Sequence, residues 1–476
     1  MQKVVPDSPR AFKLFMEGAL ALAKVEANGI RIDIPYLERV TVQVTNQIEE
    51  LERQLRADDV YKIWRRRFGM KANLDSGPQL AHVVFQELKH KSKTVTATGR
   101  DSTNEAAFAG IKLPFLKPYF RWKKLCKLRG TYLKGITQEV CNGRLHPSFN
   151  LNTVITFRSS SSSPNFTNIP IRNKEISKYI RTAFIPDGPD WVIVENDFRG
   201  AEVRVSACYH HDPTLVDYLV NPDSDMHRDA ALDNFLITRE EWNQIAKEDA
   251  GPLRNLCKGA FVFAQFYGSV YFQCAPSLWR TSRYLRGPNK IPMRRWLAAK
   301  GITKLGACNP KHAPAVGTFE AQVKSAEDEL WQNRFPVYTL WKEQWWQAYR
   351  RKGWFAMHTG FKCSGIYKRN EVLNYVIQGA SFHCLLQVLV WLQQWIEKHK
   401  MRAKIVGQIH DSIISSVPRS ELQDYLNAVR HFVSVKLPKE WPWLVVPMEV
   451  EADIGEANWF QKNPWVDRSG EWGPKG

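Results

Sequence analysis

Two apolar segments that lie far apart in the chain each meet an aspartate, and this pattern constrains the fold more than any other feature. Residues 191–194 are apolar and mostly β-branched, which is typical of a buried strand, and Asp197 follows where we expect that strand to end. Two further apolar runs, 403–406 and 413–417, meet at Asp411 and indicate a β-hairpin with an acidic turn. The sequence therefore predicts two strand ends, each with an aspartate, that a sheet could bring together.

Adjoining aspartates suggest a specific chemistry. Phosphoryl transfer from a nucleotide uses carboxylates that hold two divalent ions, one lowering the pKa of the attacking hydroxyl and the other stabilising the leaving pyrophosphate. An aspartate at a strand end is, however, more often a turn former or a helix N-cap. Asp197 and Asp411 therefore become candidate metal ligands and catalytic residues only when neighbouring motifs agree.

Charge and composition bound the class of protein. With 476 residues and 44% hydrophobic content, the chain can bury a large core in two or three subdomains. Its 67 lysines and arginines outnumber its 48 acidic residues, and the net charge of +19 favours a polyanionic partner such as nucleic acid. A solvated positive face is the alternative that charge by itself leaves open.

The cysteines and the N-terminal residues indicate a compartment. The eight cysteines are scattered without a C-x-x-C pair, so neither a zinc site nor a disulfide framework is indicated. The N-terminal residues are polar, and no apolar run approaches the roughly 18 residues that a membrane span requires. We therefore expect a soluble intracellular protein with no membrane partner.

Helical periodicity dominates the first third of the chain. A helix from about residue 17 should end near Asn28, because Gly29 suits the positive φ of a helix C-cap. A long amphipathic helix is expected over about 35–67 and a second, basic helix over about 116–130. These basic faces could lie along a phosphate backbone or could be solvated, and the residues leave both alternatives open.

The region between the two aspartates is predicted to be mostly helical. Helices are expected over about 201–353, interrupted at 269–316 by an irregular basic stretch with glycine and proline, whose role the sequence leaves open. A hairpin at 354–361 and a helix at about 370–398 should follow.

A basic pair and two aromatic residues lie within this helical region. Arg254 and Lys258 stand at i and i+4 on one helix face, where they can grip a triphosphate together. Phe263 and Tyr267, further along, can stack on a base. A surface basic pair and two core aromatics are the alternative interpretations of these four residues.

With these motifs the chain resembles the family A DNA polymerases, the group of bacterial DNA polymerase I and several phage replicases, over nearly its whole length. The polar loop at 150–172, which we expect to be ordered, carries T-x-R-x-S-S and P-N-x-x-N-I-P-x-R sequences similar to a family signature. The resemblance implies that Arg158 and Arg172 contact primer–template DNA, with Arg158 in the minor groove.

Asp197 begins a D-x-x-x-x-E-x-R segment that resembles motif A of the family. This implies that Asp197 binds the metals and that Glu202 selects deoxyribose, because a bulky side chain leaves no room for a 2′-hydroxyl. The segment Asp225-Met226-His227 resembles another family motif and implies that His227 contacts the nucleotide phosphates.

Motif B of the family, R-x3-K-x3-aromatic-x3-Y-G, fits the basic pair, but the aromatic residues arrive one position late. In an unbroken helix Phe263 would lie about 180° from Arg254. We expect a one-residue bulge, since the closing tyrosine–glycine pair is preserved, so that Phe263 and Tyr267 join the nucleotide site. Without a bulge, Val262 and Phe266 would take those places.

An N-x-x-I-Q-G helix and the segment Q-I-H-D resemble the family motifs that hold the primer–template and complete the metal site. The resemblance implies that Asp411 is the second metal ligand. Family members usually have glutamate after this aspartate, where this chain has Ser412, and Glu195 is a candidate to supply that charge instead. The resemblance implies primer–template contacts for three residues, Asn374, Gln378 and His410.

The resemblance implies an α+β right-hand polymerase fold with a helical thumb, an antiparallel-sheet palm and helical fingers. The expected boundaries are 1–148 for the thumb, 149–205 and 354–476 for the palm, and 206–353 for the fingers. The implied activity is template-directed addition of dNTPs to a primer 3′-hydroxyl by a two-metal mechanism with Mg²⁺, for which Mn²⁺ could substitute. The expected partners are primer–template DNA and dNTPs, with a separate exonuclease or processivity factor as further candidates for a monomeric enzyme.

Because the thumb-like segment starts within the first few tens of residues, we expect no proofreading or 5′-nuclease domain in this chain. We expect it to replicate or repair DNA in the cytoplasm of a bacterium or of a phage-infected host cell.

Two alternatives remain open. One is a single-subunit RNA polymerase, against which Glu202 argues; the other is a nucleic-acid-binding relative without catalysis, suggested by Ser412 and the shifted aromatics.

Overall fold

The structure, a computed structural model, describes residues 3–92, 105–108, 110–171 and 173–475. Arg172, for which the sequence predicts a primer–template contact, therefore lies outside the described residues. Within the described ranges, helices surround one large antiparallel sheet.

The strands of the described residues are β1 Lys3–Pro6, β2 Ile30–Arg31, β3 Val140–Cys141, β4 Arg144–Leu145, β5 Ser148–Asn150, β6 Ser160–Ser162, β7 Trp191–Phe198, β8 Trp354–Ala356, β9 Phe361–Ser364, β10 Lys404–Ile409, β11 Ser412–Pro418, β12 Val450–Gly455, β13 Lys462–Arg468 and β14 Glu471–Pro474. Most of them are short, and β7, β11 and β13 are the longest of the described strands.

The α-helices of the described residues are α1 Pro9–Asn28, α2 Ile34–Ala57, α3 Asp59–Phe68, α4 Gly77–Ala81, α5 Leu116–Lys127, α6 Lys134–Glu139, α7 Lys174–Arg181, α8 Ala201–His210, α9 Pro213–Val220, α10 Met226–Phe235, α11 Arg239–Asn243, α12 Lys247–Cys257, α13 Phe263–Phe266, α14 Tyr271–Ser282, α15 Met293–Ala299, α16 Phe319–Asp328, α17 Pro336–Lys352, α18 Arg369–Lys398, α19 Leu422–His431 and α20 Leu437–Glu440. Wider π-helical turns also occur, at His82–Glu87, Leu128–Leu133, Lys258–Val262, Glu329–Arg334 and Phe432–Lys436.

The central sheet has six antiparallel strands in the order β10-β11-β7-β12-β13-β14. The side chains of residues 192–194 in β7 are buried, as their β-branched character predicts. The strand continues to Phe198, so Glu195 lies within it and Asp197 is its next-to-last residue, close to the strand end where the sequence predicts it. The physical reason is that β7 has a partner on each side, and the ladders to β11 and β12 extend to Asp197 and Phe198.

A second, three-stranded sheet has the order β1-β9-β8. Strand β8 and strand β9 form the hairpin that the sequence predicts near residues 354–361, and β1 pairs along the other side of β9 from Lys3 to Pro6. The first described residues of the chain are thus hydrogen-bonded to a hairpin that is distant in sequence, and β9 is the middle strand.

The first helix joins the sheet to the long helix α18. Helix α1 ends at Asn28, and Gly29 has a φ of +58°, which confirms the predicted C-cap. A Cβ at Gly18 would lie 2.7 Å from the side chain of Leu386, so the close approach of α1 to α18 requires glycine. Helix α1 also contacts β10, so it packs against the sheet that carries the candidate metal ligands.

The long helix predicted over 35–67 is divided in two. Asp58 adopts an extended conformation and its carboxylate accepts a hydrogen bond of 2.8 Å from the main-chain nitrogen of Val60, which caps α3. The prediction of one unbroken helix was therefore wrong, because the chain leaves the helical conformation at Asp58. The basic helix predicted at 116–130 begins at Leu116 as expected and continues through a π-helical turn into α6.

The basic stretch at 269–316 is more regular than the sequence predicts. It contains α14 and α15, which bury Cys274, Leu278, Met293 and Leu297. These apolar residues recur at helical spacing, but the prolines and glycines between them hide the pattern in the sequence.

Helix α18 runs through the centre of the molecule. By length and composition it could cross a membrane, and it is the one helix of the described residues that could, so the expectation that no segment is apolar enough was wrong. In this structure 89% of its most apolar window is buried inside the protein. Its apolar character is therefore that of a core helix.

Candidate active site

The structure brings Asp197 and Asp411 together from two distant segments. Asp197 lies near the end of β7, and Asp411 lies in the turn between β10 and β11, as predicted. The main-chain nitrogen of Phe198 donates a hydrogen bond of 2.9 Å to the carbonyl oxygen of Asp411. Both aspartates line one cavity of about 280 Å³.

The two carboxylates lie in an electrostatic setting that disfavours their charged forms. Burial, opposed by the charge of Arg158 and assisted by the charges of Glu202 and Asp197, raises the pKa of Asp411 to about 6. Burial also raises the pKa of Asp197, whereas a hydrogen bond from Ser412 lowers it. A nearby cation would relieve this repulsion, and among the described residues Arg158 places its Nη2 3.9 Å from Oδ1 of Asp411.

Asp197 has a polar neighbour on each adjacent strand. Ser412 is its partner on β11, and the Ser412 hydroxyl donates a hydrogen bond of 2.6 Å to Oδ1 of Asp197. Glu451 is its partner on β12 and lines the same cavity. A third carboxylate therefore stands beside the pair, although the sequence does not indicate it.

Glu195 has a different role from the one suggested by its sequence position. Its Oε2 accepts hydrogen bonds of 2.6 Å from both the Lys462 ammonium and the Trp459 indole, and Arg181 lies 3.8 Å away. Burial would raise the pKa of Glu195, but these cationic neighbours hold it below its ordinary value. Because its charge is already compensated, the geometry does not support Glu195 as the replacement for the glutamate absent at Ser412.

The donor set at this site fits divalent cations that bring other ligands with them. Among the described residues, no group of three or more histidine, cysteine or acidic side chains is arranged to hold a metal by itself. Mg²⁺ is commonly held by one or two carboxylates, with the remaining positions taken by water and substrate phosphates. Asp197 and Asp411 offer the hard oxygen atoms that this mode requires.

Glu202 stands at the centre of a polar network beside the aspartates. It lies in the first turn of α8 and accepts a hydrogen bond of 2.6 Å from the Tyr267 hydroxyl. The Nη1 of Arg158 donates a second bond, of 3.3 Å, to the other carboxylate oxygen. These three side chains line a cleft of about 430 Å³ that also includes Asp411 and Phe263. The predicted steric gate thus lies at a pocket large enough for part of a nucleotide.

The register of the aromatic residues is set by a π-helical turn. Lys258–Val262 forms this turn, which confirms the predicted one-residue bulge. Phe261 and Val262 are consequently buried, while Phe263 is 39% and Tyr267 54% exposed on the cleft side. The alternative in which Val262 and Phe266 line the site is wrong for Val262; Phe266 reaches the cleft beside the other two aromatics.

A basic cluster lies next to Phe263. The Lys258 ammonium is 5.4 Å from the centre of the Phe263 ring, and the His227 ring meets the same ring edge to face at 5.8 Å. Asp225 caps α10 and accepts a bond of 2.6 Å from Arg254. Burial and the charges of Arg254 and Lys258 lower the pKa of His227 to about 4. Arg254 and Lys258 are thus the cations of this cluster, and they can bind phosphate groups beside the neutral His227 ring.

Helix α18 supplies the opposite wall. Asn374 and Gln378 lie one helical turn apart and both line the cleft. Gln378, Arg158 and His410 also line an adjoining cavity of about 630 Å³, which extends along the polar loop past Asn165. The residues predicted to hold the primer–template therefore border one continuous surface, with Arg172 outside the described residues.

Sequence reasoning missed several residues of the site. Glu451 and Lys462 come from strands whose register with β7 no local pattern reveals. Ser159 stands at an unspecified position of the T-x-R-x-S-S sequence, yet its hydroxyl donates a hydrogen bond to Gln408. The Gln408 amide in turn donates a bond of 2.8 Å to the carbonyl oxygen of His410. The turn that carries Asp411 is thus tied to the polar loop by side-chain hydrogen bonds.

Comparisons with known proteins agree with this arrangement. The family profile that matches is DNA polymerase family A, over residues 35–283 and 355–461. The chain is 27% identical over 451 residues to the thermostable DNA polymerase I of Thermus aquaticus, a match that covers 91% of this chain and 46% of that protein. It is 23% identical over 456 residues to DNA polymerase I of Bacillus subtilis, with 94% and 45% covered. The chain therefore spans about half the length of the curated relatives it matches.

A solved structure has the same fold. The POL domain of Pol1 from M. smegmatis, in complex with a DNA primer–template and dNTP, superposes with a TM-score of 0.70 and 24% sequence identity. The match covers 94% of this chain and 70% of that chain. At this identity the likeness establishes the fold, a helix-and-sheet polymerase domain.

Proposed function

This chain belongs to DNA polymerase family A, and we propose that it extends the 3′-hydroxyl of a DNA primer by template-directed addition of dNTPs. The observation that carries the proposal is the meeting of Asp197 and Asp411 at one cavity, beside a cleft gated by Glu202. No local feature of the two aspartates requires them to meet, since they come from strands that are distant in sequence.

We propose that Asp197 and Asp411 hold two Mg²⁺ ions, for which Mn²⁺ can substitute. When bound, such ions lower the pKa of the attacking hydroxyl and neutralise charge on the leaving pyrophosphate. The closeness of the two carboxylates and their raised pKa values support this assignment, because a divalent cation would stabilise their charged forms. Ser412 would keep Asp197 oriented toward the cavity through its hydrogen bond.

Different residues around the cleft would bind different parts of the nucleotide. His227, Arg254 and Lys258 would bind the phosphates, and the exposed faces of Phe263 and Tyr267 would stack on bases. The phosphate-binding side chains of this cluster lie on α10, on α12 and at the start of the π-helical turn, so adjoining helices would carry the triphosphate.

Sugar selection would belong to Glu202. Its carboxylate is fixed by Tyr267 and Arg158, so it cannot move aside freely to admit an additional hydroxyl. We propose that this rigidity excludes the ribose 2′-hydroxyl by contact. A preference for rNTPs would instead favour an RNA polymerase.

The primer–template would lie along the surface formed by Arg158, Asn374, Gln378 and His410. Support comes from the adjoining cavities, which run from the aspartates along α18 and the polar loop. The mixture of arginine and amide side chains suits the acceptors that duplex DNA presents in its minor groove.

A primer-extension assay with Mg²⁺ tests the proposal. The wild-type chain should extend a primed DNA template with dNTPs, and Asp411→Asn and Asp197→Ala should each abolish extension. Asp424→Asn is the matched control, because Asp424 is an exposed carboxylate on α19. A wild-type chain that binds primer–template without extending it would contradict the proposal and favour a non-catalytic relative.

A further inference from the structure

One long segment of the chain carries positive charge without any negative charge. Residues 250–319 contain eleven lysines and arginines and no aspartate or glutamate. This segment thus contributes eleven of the nineteen excess positive charges of the chain. Some of its cations have roles already described, including Arg254 and Lys258 at the nucleotide cleft. The others lie on α14, on α15, between these helices and in the residues that follow α15.

An exposed group of side chains at the end of α14 has no acidic partner among the residues that the structure describes. Arg280, Arg283 and Arg286 are exposed, and within the described ranges their side chains make no ion pair or hydrogen bond. Tyr284 stands among them with 73% of its surface exposed, and the Arg283 guanidinium lies 4.9 Å from its ring. We call these four residues the arginine face.

Other arginines of the protein have acidic partners, whereas the three of the arginine face have none among the described residues. Arg254 binds Asp225 at 2.6 Å, and Arg334 binds Asp233 at 2.9 Å. On the arginine face, like charges lie near one another and no carboxylate of the segment offsets their repulsion. Such a face is stabilised when a polyanion binds and releases its counterions.

The arginine face rests on a folded support. Arg294 of α15 stacks over the Trp279 ring of α14 at 3.1 Å and also donates a hydrogen bond to the Trp279 carbonyl oxygen. The Trp296 indole donates a bond of 3.0 Å to the carbonyl oxygen of Phe235. With Met293 and the apolar side of α14 buried, the arginines are held at the surface by packed helices. A preorganised surface binds with less loss of conformational entropy than a mobile loop.

Helix α14 connects the arginine face to the segment that borders the cleft. Helix α14 begins four residues after Tyr267, whose hydroxyl binds Glu202, and its twelve residues span about 18 Å. The face is at the far end of this helix. The family match ends at residue 283 and resumes at 355, so Tyr284 and Arg286 lie outside the matched ranges.

We propose that the arginine face binds the unpaired template strand ahead of the cleft. Single strands expose both phosphates and base faces, and proteins bind them with cationic grooves and aromatic side chains on which bases stack. Duplex DNA covers its base faces, so an exposed tyrosine among arginines fits a single strand better. The inference rests on the proposed function, because it takes the segment's partner to be the template of that reaction.

Fluorescence anisotropy with labelled primer–template DNA tests the inference. Two substrates share one duplex; one has a long single-stranded 5′ template overhang and the other a single-nucleotide overhang. The variant Arg280→Gln/Arg283→Gln/Arg286→Gln should bind the long-overhang DNA about tenfold or more weakly than wild type and the short-overhang DNA equally. The slope of log affinity against log salt should become less steep by about 2 for the long overhang, since each single-strand phosphate contact contributes about 0.7.

A control and a second variant make the test specific. Lys398→Gln/Lys400→Gln/Lys439→Gln removes the same charge from three exposed lysines that lie elsewhere, and it should leave both affinities unchanged. Tyr284→Ala should weaken long-overhang binding about fivefold while keeping the salt slope, because stacking does not depend on released ions.

The outcomes separate this inference from the proposed function. Primer extension by the wild-type chain tests the function, whereas the dependence of affinity on overhang length tests the arginine face. Long-overhang affinity that stays at the wild-type value in both the triple variant and Tyr284→Ala would overturn the inference, and a protein partner would then be the better candidate for this surface. An equal loss in the lysine control would also overturn it, since net charge alone would explain the effect.

Discussion

The Ser412 hydroxyl donates a hydrogen bond of 2.6 Å to Oδ1 of Asp197 across the pairing of β11 with β7. A neutral side chain thus orients Asp197, the first candidate metal ligand. At the position of Ser412, members of the family that the sequence resembles usually have a carboxylate. Hydrogen bonds to charged groups contribute about 1.5–3 kcal/mol. The contact is therefore strong enough to matter for the reaction.

Ser412→Ala should lower the primer-extension rate about tenfold, because the Asp197 carboxylate loses the bond that fixes it. Ser412→Thr retains a hydroxyl and should stay close to wild type. Single-turnover rates over a range of Mg²⁺ concentrations would measure the effect. Equal rates for the alanine and threonine variants would show that the hydroxyl has no positioning role.

Glu202→Ala should admit ribonucleotides. Removing the carboxylate held by Tyr267 and Arg158 opens space beside the sugar, so the ratio of kcat/KM for dNTP to rNTP should fall about a hundredfold. Tyr267→Phe keeps the ring and removes the bond to Glu202, so it should give a smaller fall. If rNTP use does not rise in Glu202→Ala, another residue selects the sugar.

Lys258→Ala should raise KM for dNTPs about tenfold or more, because a charge-assisted contact to phosphate is lost from the basic cluster. Lys247→Ala, an exposed lysine at the start of α12, is the control and should leave KM unchanged. Steady-state kinetics on a primed homopolymer template would measure both. A rise in KM of the same size in both variants would indicate that only general electrostatic attraction is involved.

Deleting Ala260 should be tolerated. The π-helical turn Lys258–Val262 accommodates one extra residue, so its removal should restore an α-helix and keep Phe263 and Tyr267 facing the cleft. Deleting Ala264, which lies in α13 between these aromatics, should rotate Tyr267 by about 100° relative to Phe263 and abolish extension. Primer extension and thermal melting of both deletion variants would check this, and loss of activity in both would contradict it.

Asp187→Asn should destabilise the protein in a pH-dependent way. Asp187 pairs at 2.9 Å with both Arg144 of β4 and Lys404 of β10. Burial raises the pKa of Asp187, but the two cations lower it more, so the pKa lies below its ordinary value. Because the pKa of Asp187 is lower in the folded state, its ionised carboxylate stabilises the fold at any pH above its unfolded pKa of about 4. This stabilisation is lost as the pH falls through the folded pKa.

The free energy of unfolding should therefore fall by about 1–3 kcal/mol near pH 7, a range that allows for the partial exposure of both cations. Urea titrations of the wild type and Asp187→Asn would show the difference narrowing below about pH 4. The exposed carboxylate variant Asp424→Asn serves as a control. A difference that is independent of pH would rule out the charge as its source.

The sequence predicted most of the elements that position the site. Gly29 marked the end of α1, the apolar runs located the hairpin around Asp411, and the shifted motif required the bulge that appears at Lys258–Val262. The predictions of these features were correct because the features are local. A residue's φ angle or its phase in a helix follows from its neighbours in the chain.

Features that depend on long-range pairing were not predictable. Glu451 faces Asp197 only because β12 pairs with β7 in one register, and a shift of one residue would turn it to the opposite face. Lys462 neutralises Glu195 across another pair of strands, so the charge of Glu195 could not be judged from its own segment. The division of the helix at Asp58 depends on a cap that competes with a continuous apolar pattern.

The pairing of β1 with β9 has a practical consequence for handling the protein. Strand β9 is the middle of its sheet only while residues Lys3–Pro6 remain attached. Trimming these residues, by proteolysis or by design, would turn β9 into an open edge with unpaired main-chain groups, which is a template for pairing between molecules. Expression vectors should therefore leave this strand intact, and soluble yield is the first property that its removal should change.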